Sequence, residues 1–102
     1  MVSNQAKSKT LVASTKLDKL DTKIMADIDL LKDFNENVLS VLAEESINDE
    51  DKKNSIANDI EKAYDQIEEL STKIDEMLQV LQSIIENIQD AIEDEENKSE
   101  YQ

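Results

Sequence analysis

Glycine, proline, cysteine, histidine, arginine and tryptophan are all missing from this chain of 102 residues. Each absence removes a class of structure or chemistry. Glycine and proline build tight turns and punctuate helices, so a β-rich fold full of turns is excluded. A glycine-rich phosphate loop goes with them. Without cysteine there are no disulfides and no thiolate metal sites, which fits a reducing compartment. Aromatic residues are limited to Phe34, Tyr64 and Tyr101, too few for a core built around large rings.

Long apolar runs are scarce too. Over Met1–Ser14 the longest is Leu11-Val12-Ala13, which makes neither a signal peptide nor a membrane span. The expected location is therefore cytoplasmic or nuclear, with no membrane insertion. The triplet Asn97-Lys98-Ser99 has the form of a glycosylation sequon, but in a polar tail without a secretory signal it carries no weight.

What remains is acid and aliphatic side chains. The formal net charge is -14, unevenly spread. Met1 to Lys23 carries five lysines against Asp18 and Asp21, a balance of +3, whereas the remainder carries six lysines against 23 acids, a balance of -17. Such a body is repelled by phosphate, so direct nucleic-acid binding is not expected.

The second half of the chain holds the strongest pattern. Ile56, Ile60, Ala63, Ile67, Leu70, Ile74, Met77, Leu81, Ile84, Ile88 and Ala91 recur in alternating steps of four and three. This is a heptad seam with Ile60, Ile67, Ile74, Leu81 and Ile88 at the a positions, the pattern of a helix that keeps one stripe against a partner. The first half repeats it less cleanly through Leu17, Leu20, Ile24, Leu31, Phe34, Val38 and Val41, with Asp27 where an apolar residue belongs and Ile28 beside it as partial compensation.

Between the halves, Glu44 to Asn54 loses its apolar residues and the seam slips by one position. A turn near residues 45–49 is the expected cause, with Asn48 as N-cap and Asp49, Glu50 and Asp51 in the first turn of the second helix, where carboxylates offset the helix dipole. One uninterrupted long helix is the alternative. The fold class read from these signals is all-α: an antiparallel helical hairpin or coiled coil, itself part of a larger helical bundle. Its organisation is a flexible basic segment over 1–14, the hairpin over 15–96 and a disordered polar tail over 97–102.

Helices running from about Thr15 to Glu45 and from about Asp49 to Glu96 would measure roughly 45 Å and 70 Å at about 1.5 Å per residue. Antiparallel pairing then sets Leu17 beside Leu78 or Gln79. It also brings Lys7, Lys9, Lys16 and Lys19 alongside Asp75, Glu76, Glu86, Asp90 and Glu93, whereas a parallel pair would set acid on acid. Within the hairpin the first-helix seam is expected to close on Ile60, Ile67, Leu70 and Ile74.

No constellation of residues supports catalysis, so the chain is expected not to be an enzyme and to take no cofactor, metal or small-molecule substrate. Its carboxylates lie on solvated helix faces, and Asp49-Glu50-Asp51-Lys52-Lys53-Asn54 places lysine where a calcium loop needs an oxygen ligand and lacks the loop glycine. The informative stretch is Met77 to Ile92, where the apolar stripe widens: Leu78, Ile85 and Ile92 at the e positions and Val80 at g join the seam. A stripe wide enough for two neighbours implies a bundle of three or more helices. Met77, Leu78, Leu81, Ile84, Ile85, Ile88 and Ile92 are therefore the candidate partner-binding residues, the partners being other coiled-coil proteins or a second copy of the chain.

The expected function is a non-enzymatic structural subunit that co-folds with other coiled-coil chains to scaffold a cytoplasmic multi-subunit complex of tether, cytoskeletal or kinetochore type. The alternative is an acidic inhibitor or regulator that occupies a basic groove as a nucleic-acid mimic.

Overall fold

The computed structural model describes residues 3–100, and the side chains of 7–98. It is all-α, with no strand among the described residues. Helix α1 spans Ser3–Asp33 and passes through a π-helical turn, Phe34–Leu39, into α2, Ser40–Ser46. After three residues helix α3 runs over Glu50–Glu100. The chain is thus a helical hairpin and not one continuous helix.

The connection is made without glycine. The Ile47 backbone turns extended (φ -117°, ψ 127°) while its N–H still donates to the Ala43 carbonyl, which closes α2. Helix α3 opens one residue later than the sequence suggested: Asp49, not Asn48, is the cap. Its carboxylate Oδ1 accepts from the backbone N–H of Asp51 at 2.9 Å and more weakly from that of Lys52 at 3.4 Å, and its carbonyl accepts the first helical bond, from Lys53. A carboxylate at this position satisfies orphan N–H groups and also brings negative charge to the positive helix end, which an asparagine does not.

The helical ends reach further than expected. Residues 3–14, read as a flexible segment, belong to α1 from Ser3. No glycine or proline interrupts them, and Thr10 within them is buried, with its hydroxyl donating to the Lys7 carbonyl at 2.8 Å. Of the tail expected over 97–102, residues 97–100 are helical and residues 101–102 lie outside the described residues.

The chain divides into two compact units, Met1–Thr22 with Asp75–Gln102, and Lys23–Ile74; they are called here the terminal unit and the turn unit. In the turn unit the helices are antiparallel: Glu44 meets Lys53 at 3.6 Å, Asn35 meets Ile60, and Lys32 meets Glu68. The inner line of α1 and α2 here runs through Ile24, Ile28, Lys32, Asn35, Ala43 and Ile47, and the inner line of α3 through Ile56, Ile60, Ala63, Ile67, Ser71 and Ile74. Ile28, 3% exposed, is the most buried apolar residue among the described residues. It fills the place beside Asp27, which is exposed.

In the terminal unit the pairing is antiparallel as well. Leu17 shares a groove with Leu78 and Gln79, the register set by the expected helix lengths, and Lys7 reaches Glu96 at 3.7 Å. Leu17, at 9% exposure, is the buried apolar residue of this unit, with Leu78, Ile85 and Ile92 half-buried on the inner face of α3.

Candidate interaction surface

A pair of helices has one line of contact, and here it covers little. Only Leu17 and Ile28 among the described apolar residues are buried. The accessible surface of 8167 Å² compares with about 5,800 Å² expected of a compact monomer of this mass.

The side chains left outside are large. In α3, Leu70, Met77, Val80, Leu81, Ile84 and Ile88 are all exposed. Covering a half-exposed Leu or Ile is worth about 1 kcal/mol, so a row of them favours association.

The reason lies in two periods. The apolar seam of α3 repeats every 3.5 residues on average, the heptad value, whereas the covered positions from Ile56 to Ile92 keep to the straight-helix period of about 3.6. Near Ile56, Ile60, Ala63 and Ile67 the two lines coincide, and a and d residues face the hairpin partner. By Leu78 they have parted. From there the covered apolar residues are at the e positions, Leu78, Ile85 and Ile92, with Gln82 and Glu96 half-buried beside them, while Met77, Leu81, Ile84 and Ile88 of the seam lie exposed. The residues read from the sequence as one partner-binding set thus fall on two faces: three on the inner face of the hairpin and four outside it.

Helix one shows a similar offset. Leu17 and Ile24 of its expected seam face α3, whereas Leu20, Leu31, Phe34, Val38 and Val41 are exposed. In α3, Ile60, Ile67 and Ile74 of the expected intramolecular seam are half-buried and Leu70 is exposed. The π turn contributes within the turn unit. Ser40 donates its backbone N–H to the Asn35 carbonyl, five residues back, and the wider turn rotates the residues that follow relative to an α-helical count. As a result Ala43 and Ile47, not Val38 and Val41, continue the inner line.

Asn35, inside the π turn, is 3% exposed. Its Nδ2 donates to the Ile60 carbonyl across the hairpin at 2.9 Å, and its Oδ1 has no partner. A half-satisfied amide in an apolar contact costs stability but ties one residue of α1–α2 to one turn of α3, which fixes the register of the pair. An apolar groove of about 320 Å³ adjoins it, lined by Leu39, Leu42, Ile47, Ile56 and Ile60 among others.

Charge is perturbed at one exposed place. The Lys32 ammonium bonds the Glu68 carboxylate and lies over the Tyr64 ring, 5.6 Å from its centre. The bond from Glu68 raises the Lys32 pKa above its ordinary value, partly opposed by desolvation, and the same bond lowers that of Glu68. Tyr64 adds a smaller lowering of the Glu68 pKa through its own hydrogen bond, and the cluster is an ion pair with a packing role. Among the described residues no group of three or more acidic side chains is placed to hold a metal ion, and no helix is long and apolar enough to cross a membrane.

Compared with known proteins, the chain matches no family model, no curated protein and no solved structure.

Proposed function

We propose that the protein is a non-enzymatic structural subunit whose hairpin presents the second half of its α3 seam to helices of other coiled-coil chains, and so holds together a cytoplasmic multi-subunit complex. The observation that carries this reading is the exposed row Met77, Leu81, Ile84 and Ile88. These residues continue an unbroken heptad pattern, yet the hairpin leaves them uncovered. A heptad repeat is the pattern by which a helix keeps one stripe against another helix, so a second helical layer fits this row better than a small molecule or an extended peptide does.

The experiment is to recover the tagged chain with its partners from its native source, identify them, and repeat the recovery with Leu81→Asp and Ile84→Asp. Both positions are exposed, so the helicity of the isolated variants should be unchanged. The reading expects coiled-coil partners that survive high salt and are lost in both variants. Partners retained by both variants would refute it. Basic partners that leave on raising the salt alone would instead support the nucleic-acid mimic, because screening weakens exposed charge contacts and leaves apolar ones intact.

A further inference from the structure

The charge of the terminal unit is sorted by side, and the sorting specifies a partner that the net charge of -14 would not suggest. Successive residues of an α-helix are rotated by about 100°. In an antiparallel pair the two helices wind in opposite senses as seen from one end, so equal rotations away from the line of contact fall on the same side of the pair. One side is identified directly by the groove of about 280 Å³ lined by Leu17, Asp18, Asp21, Asp75, Leu78, Gln79 and Gln82, whose charged members are all acidic. Rotation by the same rule adds Glu86, Asp90 and Glu93 to that side.

The opposite side is apolar. It carries Met77, Leu81, Ile84 and Ile88 from α3 and Leu20 from α1, all exposed. Its charged border is basic: Lys9 and Lys16, one heptad apart in α1 and both exposed, flank the row, and of the acids in this unit only Glu95 shares that side.

We propose that this side docks an amphipathic helix of another chain whose heptad seam is flanked by acidic residues, with its carboxylates set against Lys9 and Lys16. The inference rests on the reading of the α3 row as a docking surface and adds the chemistry of what docks there. Long lysine stems lie along apolar surface while their ammonium groups reach the rim, so Lys9 and Lys16 extend the row and select the partner's charge together. An acidic helix docked here has the six acids of the groove side on the far side of the hairpin, about one helix diameter of 10 Å away and so beyond the Debye length of about 8 Å at physiological salt.

The test uses two synthetic helices with the same Ile and Leu seam, one flanked throughout by Glu and the other by Lys, titrated into the full chain at physiological ionic strength. The expected result is tighter binding of the Glu-flanked helix, with a loss of about tenfold when Lys9→Glu and Lys16→Glu are combined, and abolition by Leu81→Asp. Preference for the Lys-flanked helix, unchanged by the lysine reversals, would overturn the proposal. So would a stable dimer of the chain that hides Leu81, which would make a second copy the occupant. Binding of vesicles containing anionic lipid that depends on Lys9 and Lys16 would also overturn it, since those lysines would then serve a membrane surface. If Leu81→Asp changes neither binding nor mass, the docking surface itself is refuted; if it abolishes binding while the Lys-flanked helix is preferred, only the partner's charge is.

Discussion

The two halves of α3 carry the same sequence pattern and put it to different uses. In the first half the heptad residues Ile56, Ile60, Ala63 and Ile67 are covered within the hairpin. In the second, Met77, Leu81, Ile84 and Ile88 are exposed, and the covered apolar residues are Leu78, Ile85 and Ile92. The difference shows that an unbroken seam does not guarantee one continuous partner. A stripe of period 3.5 and a contact line of about 3.6 separate by roughly 20° per heptad, so a helix of this length can serve one neighbour early and another late. The widened stripe over Met77–Ile92 is the sequence record of that separation, since both lines must be apolar once they no longer coincide.

The largest expected effect comes from exchanging a residue on the covered line for one outside it. Ile28→Ala, at 3% exposure, should lower the unfolding free energy of the isolated chain by about 2 to 3 kcal/mol, read from urea denaturation followed by helical circular dichroism. Leu81→Ala should change it by less than about 1 kcal/mol, because Leu81 is half-exposed. Equal losses for the two would break the comparison and mean that the α3 row is already covered in the purified protein.

Next in size is a gain. Asn35→Leu removes the unpartnered Oδ1 from an apolar contact and should stabilise the chain by about 1 to 2 kcal/mol, seen as a higher urea midpoint. The same variant should broaden the spread of distances between spin labels placed on α2 and α3, because the cross-hairpin bond that fixes the register is gone. A destabilised variant would mean that the bond to the Ile60 carbonyl outweighs the orphaned acceptor.

A smaller loss is expected at the turn. Asp49→Ala removes the acceptor of two N–H groups at the start of α3 and should cost about 1 kcal/mol, whereas Asn48→Ala should cost almost nothing. The same denaturation series checks both, and a larger loss at Asn48 would return the cap to that residue.

The smallest effect is on pH dependence. The Glu68 pKa is held below 4.5 by Lys32, so its contribution is present above that value and is lost as the pH falls through the lowered one. The Lys32 pKa is raised above 10.5 by the same bond, so its contribution holds up to that value and is lost as the pH rises past the raised one. Across neutral pH the pair is intact. Glu68→Gln should flatten the acid limb of the stability curve slightly, and a steeper limb would contradict the assignment.

Much of this structure was legible from residues alone. The absence of glycine and proline pointed to long helices, the slip in the seam near Glu44–Asn54 marked the turn, and helix lengths set Leu17 beside Leu78. The inner line of helix one was not legible. Its composition offers Leu20, Leu31, Phe34, Val38 and Val41 as readily as Ile28, Ala43 and Ile47, and the choice depends on the π turn, which no residue type announces. The face of Leu78, Ile85 and Ile92 was hidden for a related reason: a heptad assignment assumes that the hairpin supercoils with its seam, and here the contact line does not follow it. The sorting of charge by side was present in the sequence but needed the register and the winding sense of the pair to be seen.

The central claim is that α3 turns one face to its own hairpin and another outward, and cysteine accessibility measures this directly because the protein has no cysteine of its own. Leu81→Cys and Ile85→Cys would be compared for their rates of maleimide labelling in the isolated, folded chain. The account predicts fast labelling at position 81 and slow labelling at position 85. Equal rates, or protection of 81 with exposure of 85, would contradict it.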